Sequence, residues 1–353
     1  ISNKNHNVSS HNVVKEKHDS NGGIERPNNL VLESQLPDQN TKSQKEKKTK
    51  ENISESKSEA NVEESASKLI WKRALKRTLL SFGVLLLVYY STNKSDSSTV
   101  TLATVQQTIT GSPKGQQVEC SNDYTIERTK FKGCAPVKCG RIVTDDVVSD
   151  EEAVELLDLA KKGFALGGSS GGASILDLHS GALSDKDNFV NLYKLIEKIN
   201  KNNIFTQSDF NLYKQVKTKI HKAISLQFGV PPHLLYLTHP TFFSRITSLP
   251  AKSLHDQYWH VHVDKETYKS FHYTSLLYLS NHNEHFNGGR FVFVGTNNNV
   301  TIEPKIARVS IFTSGSENPH FVEKVTSGTR YALTVSFTCD PQYAIKDPHI
   351  HSH

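Results

Sequence analysis

Tyr273-Thr274-Ser275-Leu276-Leu277-Tyr278-Leu279 and Arg308-Val309-Ser310-Ile311-Phe312-Thr313 are the clearest of the short β-rich runs in the last third of this chain. Both are dense in β-branched and aromatic residues, the types that fit a pleated, half-buried surface. Arg290 to Val294, Val300 to Glu303, His320 to Val325 and Arg330 to Thr338 have the same texture. Turn-forming clusters part them: Asn287-Gly288-Gly289, Gly295-Thr296-Asn297-Asn298-Asn299, Ser314-Gly315 and Ser327-Gly328. Short runs at this spacing predict a β-sandwich or barrel.

Upstream the period changes. Ser149 precedes Asp150-Glu151-Glu152 and an apolar stretch, so Ser149 is expected to cap a helix and Glu152 to close a capping box. Residues 187 to 228 carry helical stripes, first through Phe189, Leu192, Leu195, Ile196 and Ile199, then through Leu212, Val216, Ile220, Ala223 and Ile224. Pro231-Pro232 ends them. Gly167-Gly168-Ser169-Ser170-Gly171-Gly172 has no following Lys-Ser or Lys-Thr, so it reads as a flexible surface loop and not a phosphate cradle. The fold class expected is α+β, with a helical N-terminal part at 119–230 and a β domain at 231–345.

The first part of the chain is different in kind. Residues 1–77 are rich in Lys, Glu, Ser and Asn and are expected to be a disordered tail, because they carry too little apolar area to offset chain entropy. Leu79 to Tyr90 is uncharged and ends in an aromatic pair, with Lys72, Arg73, Lys76 and Arg77 before it. We expect one membrane span at 78–92, its N-terminal side cytoplasmic, followed by a Ser/Thr/Gln-rich stalk at 93–118. That makes a single-pass type II signal-anchor protein with its bulk lumenal, in the endoplasmic reticulum or Golgi, or extracellular. The run is short for a span. All four cysteines, Cys120, Cys134, Cys139 and Cys339, lie after it, which predicts one or two disulfides in an oxidising compartment, among the first three by proximity. Their connectivity is not readable. Asn93 and Asn299 head glycosylation sequons on the same side. The formal charge of +6 is unevenly spread and does not point to nucleic acid.

The chemistry centres on His262-Val263-Asp264 and, downstream, His320. Residues two apart on an extended segment face the same way, so His262 and Asp264 can share one metal. Two imidazoles and a carboxylate suit Fe(II) and leave positions open. His260 also points that way, but only His262 has an Asp two residues on. Arg330 supplies a bidentate, permanently charged partner for a carboxylate. His255, His272, His282 and His285 read as structural or solvated. Set in their context, with Leu276-Leu277-Tyr278-Leu279, Gly288-Gly289-Arg290-Phe291, Glu303-Pro304, Asn318-Pro319-His320 and Gly328-Thr329-Arg330-Tyr331, these residues resemble the prolyl-hydroxylase-like branch of the 2-oxoglutarate- and Fe(II)-dependent oxygenases from Tyr258 to Thr338.

The resemblance implies a double-stranded β-helix, or jelly roll, with a helical layer. It implies iron ligands His262, Asp264 and His320, and Arg330 on the distal carboxylate of 2-oxoglutarate, with Tyr278 assisting. It implies Fe(II), 2-oxoglutarate and O2, with ascorbate as an accessory reductant, and hydroxylation of a protein or small-molecule substrate, a prolyl or lysyl side chain being the natural expectation. The sequence departs from several relatives after Glu303-Pro304, where Lys305-Ile306-Ala307-Arg308 lacks their turn glycine. The competing reading is a catalytically silent jelly-roll binding module. A module without turnover has no need of a complete triad plus Arg330.

Overall fold

The computed structural model describes residues 53–92, 99–201, 203–253 and 256–348. It divides into two compact units, residues 1–86 and 87–353. In the first, α1 (Ile53–Thr92) begins well inside the segment expected to be disordered and runs through the segment expected to span a membrane. The apolar run Leu79 to Tyr90 would extend roughly 18 Å as a helix, against an apolar bilayer thickness of about 30 Å. No helix among the described residues is long and apolar enough to cross a membrane. The remainder of the expected tail, residues 1–52, lies outside the described residues, as do Asn93, His255, His349, His351 and His353.

The second unit opens with β1 (Thr99–Ala103), β2 (Lys114–Val118), the short helix α2 (Glu127–Lys130) and β3 (Cys139–Thr144). Then come α3 (Asp150–Phe164), β4 (Ala173–Leu176), β5 (Ala182–Asp185), β6 (Asn188–Asn191), α4 (Leu192–Lys198) and α5 (Gln207–Phe228). The β-rich part supplies β7 (Tyr236–Thr247), α6 (Asp264–Thr267), β8 (Tyr273–Tyr278), β9 (Phe286–Gly288), β10 (Phe291–Phe293), β11 (Asn299–Ile302), β12 (Val309–Thr313), β13 (His320–Val322) and β14 (Val325–Thr338). The large sheet runs β2-β3-β12-β8-β14-β7-β4-β5-β6, and the small one β1-β11-β10-β13. Pairing is antiparallel except for β1 on β11.

Period-two patterning gives the large sheet two faces. Leu277, Val309, Ile311, Leu333, Val335 and Phe337 join one apolar cluster with Leu156, Leu159 and Phe164 of α3 and Phe210, Val216 and Ile220 of α5. The alternating residues Leu276, Tyr278, Phe312 and Ala332 join a second cluster with Phe291 and Phe293 of β10 and Val300 and Ile302 of β11. The chain is therefore mixed α+β, with helices on the outer face of the large sheet and the small sheet on its inner face. Each large side chain buried in these clusters contributes about 1.5–3 kcal/mol relative to exposure.

Local signals behaved as physics requires where they were strong. Ser149 Oγ accepts from the Glu152 amide at 3.2 Å and Glu152 Oε2 from the Ser149 amide at 2.9 Å, the expected capping box. A second box, Thr206 with Asp209, starts α5, and Gly229 ends it at φ +70°. Elsewhere tertiary pairing overrode local pattern. Residues 99–103 and 114–118 form two strands of the sheets, not a stalk. The segment 119–230 holds four strands as well as helices, and Phe189 sits in a strand, not on a helical stripe. The glycine-rich stretch is packed: a Cβ on Gly171 would lie 2.3 Å from Asp256 and one on Gly172 2.6 Å from the Leu249 carbonyl. At the turn lacking the family's glycine, Ala307 has φ +64°, a left-handed conformation that costs an L-residue about 1–2 kcal/mol.

Two disulfides tie the unit. Cys120 joins Cys139, and Cys134 joins Cys339, so one bond reaches beyond the first three cysteines where the pairing was expected. The second links residues 205 apart and closes a loop around β3 through β14. Because a cross-link removes chain entropy from the unfolded state, the double variant Cys134→Ala/Cys339→Ala is expected to lose about 2–5 kcal/mol in urea unfolding at unchanged far-UV circular dichroism.

Candidate metal centre

His262 and His320 form an isolated antiparallel bridge. The His262 amide donates to the His320 carbonyl at 3.0 Å, and the His320 amide donates back at 2.9 Å. This exchange fixes the two side chains on neighbouring strands, with their rings 4.4 Å apart. Val263 is extended, and Asp264 opens α6, which turns its carboxylate back toward both imidazoles. Asp264 Oδ1 lies 3.8 Å from His262 Nε2 and 3.6 Å from His320 Nε2. One ligand atom from each of the three residues falls within 4.8 Å of the others.

The surrounding hydrogen bonds leave one nitrogen of each ring turned toward the Asp264 carboxylate. His262 Nδ1 contacts the His260 carbonyl at 3.0 Å and His320 Nδ1 the Asn318 carbonyl at 2.8 Å. A carbonyl only accepts, so each Nδ1 carries the proton and each Nε2 presents a lone pair. Thr274 Oγ1 donates to Asp264 Oδ2 at 2.6 Å, which leaves Oδ1 for a cation. Ser314 Oγ lies 2.9 Å from Thr274 Oγ1 and completes the chain. Burial lowers the His320 pKa, opposed by Asp264, so its ring is held neutral, the form that ligates. Phe291 and Phe312 wall that ring at 5.0 and 4.9 Å. His260 instead bonds Gln257 through Nε2 at 2.7 Å and gives the centre only its carbonyl. The donor set, two imidazole nitrogens and one carboxylate with one side open, fits Fe(II).

A cavity of about 440 Å³ opens over the three residues and is lined by Arg330 on β14. Arg330 is 1% exposed, and its Nε donates to the Gly289 carbonyl at 2.9 Å. Its Nη2 is buried with no hydrogen-bond partner among the described residues. Arg308 is also fully buried, and there the five donors are accounted for: Asp145 takes Nε and Nη2, and the Thr104, Glu303 and Gln107 carbonyls take the rest. A buried guanidinium without a counter-ion is costly, which marks the Arg330 end of the cavity as a place for a carboxylate. Tyr278 does not line the cavity. Its ring lies 5.5 Å from Arg330 Cζ, and burial raises its pKa to about 12, so it stays protonated beside the cation.

The sequence singled out His262, Asp264, His320 and Arg330, and the fold brings all four to one cavity. It did not single out Thr274, Ser314 or Asn318, ordinary strand and turn residues whose role appears only when the strands pair. His282 and His272, read as solvated or structural, are both buried, His272 against Glu127 at 3.3 Å. Asn299 begins β11, half-buried, and its Oδ1 lies 3.4 Å from the Gly295 amide.

Residues 250–338 match the family described as the 2OG-Fe(II) oxygenase superfamily. The chain is 51% identical over 284 residues to the human 2-oxoglutarate and iron-dependent oxygenase domain-containing protein 3, across 79% of this chain and 88% of that one. It is 58% identical over 233 residues to the mouse protein of that name, across 66% and 73%. It is 30% identical over 225 residues to human prolyl 3-hydroxylase 1, across 59% of this chain and 29% of that one. The chain belongs to the 2OG-Fe(II) oxygenase superfamily and is a 2-oxoglutarate- and iron-dependent dioxygenase that uses Fe(II), 2-oxoglutarate and O2.

Proposed function

We propose that His262, Asp264 and His320 hold Fe(II), that Arg330 holds the distal carboxylate of 2-oxoglutarate, and that the protein hydroxylates a prolyl side chain of a lumenal or extracellular protein. The observation that carries the site assignment is the unpaired Arg330 guanidinium in the same cavity as the three converging ligand atoms. When bound, Fe(II) supplies the redox chemistry by which O2 and 2-oxoglutarate convert a C–H bond to C–OH, with release of CO2 and succinate.

The chain's own residues do the rest. The His260 and Asn318 carbonyls keep both imidazoles in the ligating tautomer. Thr274 fixes the carboxylate through the oxygen that faces away from the metal. Gly289 aims Arg330, and Tyr278 packs beneath it with its hydroxyl buried and given no hydrogen-bond partner among the described residues. The two-sheet scaffold is read as a double-stranded β-helix, with the metal at its open end.

The substrate class is argued from the outer wall. Ile175, Pro240, Phe242, Tyr268 and Phe271 make it apolar and aromatic. Asp177, the acid at that end, is already engaged by the His179 amide at 2.7 Å and Ser180 Oγ at 2.5 Å. Such a wall accommodates a neutral pyrrolidine ring at lower desolvation cost than a lysyl ammonium. The similarity to a protein named prolyl 3-hydroxylase favours the same choice.

The compartment is part of the proposal. Two disulfides and no free cysteine among the described residues favour an oxidising lumen. Attachment to the membrane is assigned to Leu79–Tyr90 and its basic N-terminal flank, and glycans to Asn93 and Asn299.

Purified protein given Fe(II), ascorbate and 2-oxoglutarate, without substrate, is expected to release CO2 from 2-oxoglutarate slowly and measurably. Asp264→Ala is expected to abolish it. Arg330→Gln should raise the 2-oxoglutarate KM about 100-fold, since a charge-assisted contact at a buried cation is worth about 2–3 kcal/mol. Equal CO2 release by wild type and Asp264→Ala would sink the ligand assignment. Topology is read separately: in intact vesicles, residues 120–353 should resist added protease and become sensitive on detergent lysis. Digestion without detergent would overturn the lumenal placement.

A further inference from the structure

Three arginines are buried in the described residues: Arg308, Arg330 and Arg141. The first is saturated, and the second faces the metal cavity. Arg141 has neither explanation.

It lies on β3 at 4% exposure, two residues from Val143 and on the same inner face. Its Nε donates to Gln116 Oε1 at 2.9 Å, and its guanidinium lies 4.7 Å from the Phe293 ring centre. Nη1 is buried with no hydrogen-bond partner, and no carboxylate stands within ion-pair distance of the group among the described residues. Burial alone accounts for its lowered pKa, with no acid opposing it. Arg141 lines a cavity of about 840 Å³ between the sheets, walled by Leu102, Gln116 and Val300 and by the β10–β11 turn at Gly295–Asn298. Of the two acids at this cavity, Glu317 is engaged by Tyr124 Oη at 3.1 Å and the Ser121 amide at 3.3 Å, and Glu119 is exposed.

A guanidinium removed from water and given no counter-ion is unstable unless something anionic completes it. It faces a cavity that shares no lining residue with the metal site. We infer that Arg141 anchors a second binding site, for a small oxyanion bearing a carboxylate or a phosphate. With Nε spent on Gln116 Oε1, the guanidinium keeps its Nη donors for such a group. The Phe293 ring under Arg141 also packs 6.1 Å from the His320 ring, so the site is one aromatic side chain behind the metal centre.

The test uses the full chain carrying Arg330→Gln, which weakens carboxylate binding in the cofactor cavity about 100-fold and separates this inference from the reading above. Inorganic phosphate and succinate are titrated by calorimetry at fixed ionic strength with chloride as the balancing anion, because exposed positive charge attracts anions non-specifically. At least one of the two should bind saturably at one site per chain, and adding Arg141→Gln should weaken it at least about tenfold. Which anion binds distinguishes a phosphate from a carboxylate ligand. If the Arg141→Gln protein does not fold, the amide resonances of Gly295–Asn298 in the Arg330→Gln protein decide. They should shift saturably with the bound anion and not with chloride. Absence of saturable binding by both anions, binding unchanged by Arg141→Gln, or stationary turn resonances would overturn the site.

Discussion

The centre depends on one pair of backbone hydrogen bonds, the exchange between His262 and His320. Five strands, β8 to β12, and several turns lie between the two residues in the chain. The bridge brings their rings to a common point, and the Lys265 amide on the Ser314 carbonyl at 2.9 Å ties the same two segments a few residues further on. Because the bridge is main-chain, it sets ring position without using side-chain donors. That leaves both Nδ1 atoms free to bond carbonyls and both Nε2 atoms free for a cation. α6 then needs only to turn Asp264 inward, and Thr274 and Ser314 from neighbouring strands hold it there. The long helices α3 and α5 supply no residue to the centre. Packed on the far face, they stiffen the sheet that carries Thr274 and Arg330.

The second organising fact is how the fold treats buried positive charge. Arg308, with each donor used, clamps residues 104 and 107 and Asp145 to the sheet and so ties the first strands to the body. Arg330 is held by one carbonyl and otherwise left open. Two residues of one type, equally buried, serve opposite ends because one is neutralised within the chain and the other waits on a ligand.

The site was more legible in the sequence than the architecture around it. His262, Asp264, His320 and Arg330 belong to a dense string of motifs, and each sits next to turn or strand signals that fix its direction. The supporting residues Thr274, Ser314 and Asn318 lie in those same strand, turn and motif segments, but which of them holds a ligand side chain depends on how the strands pair. The same reason hid β1, β2, β4, β5 and β6. Each is short and polar or sits in a Gly/Ser-rich stretch, and each is a strand only because a neighbour supplies hydrogen bonds. Phe189 fell on a helical period by coincidence. Cys134 with Cys339 joins segments 205 residues apart, a pairing that no local rule orders. The tail helix shows the converse: residues 53–77 have helix-forming composition, and low apolar content alone did not prevent a helix.

The proposed single site of His262, Asp264, His320 and Arg330, for a metal and a dicarboxylic keto acid, has a direct spectroscopic readout. Anaerobic addition of Fe(II) and then 2-oxoglutarate, followed by visible absorption, addresses it without any substrate. A weak charge-transfer band should appear and saturate at one 2-oxoglutarate per chain, vanish in Asp264→Ala, and need far more 2-oxoglutarate in Arg330→Gln. No band in the wild-type protein, or a band that survives Asp264→Ala, would contradict it.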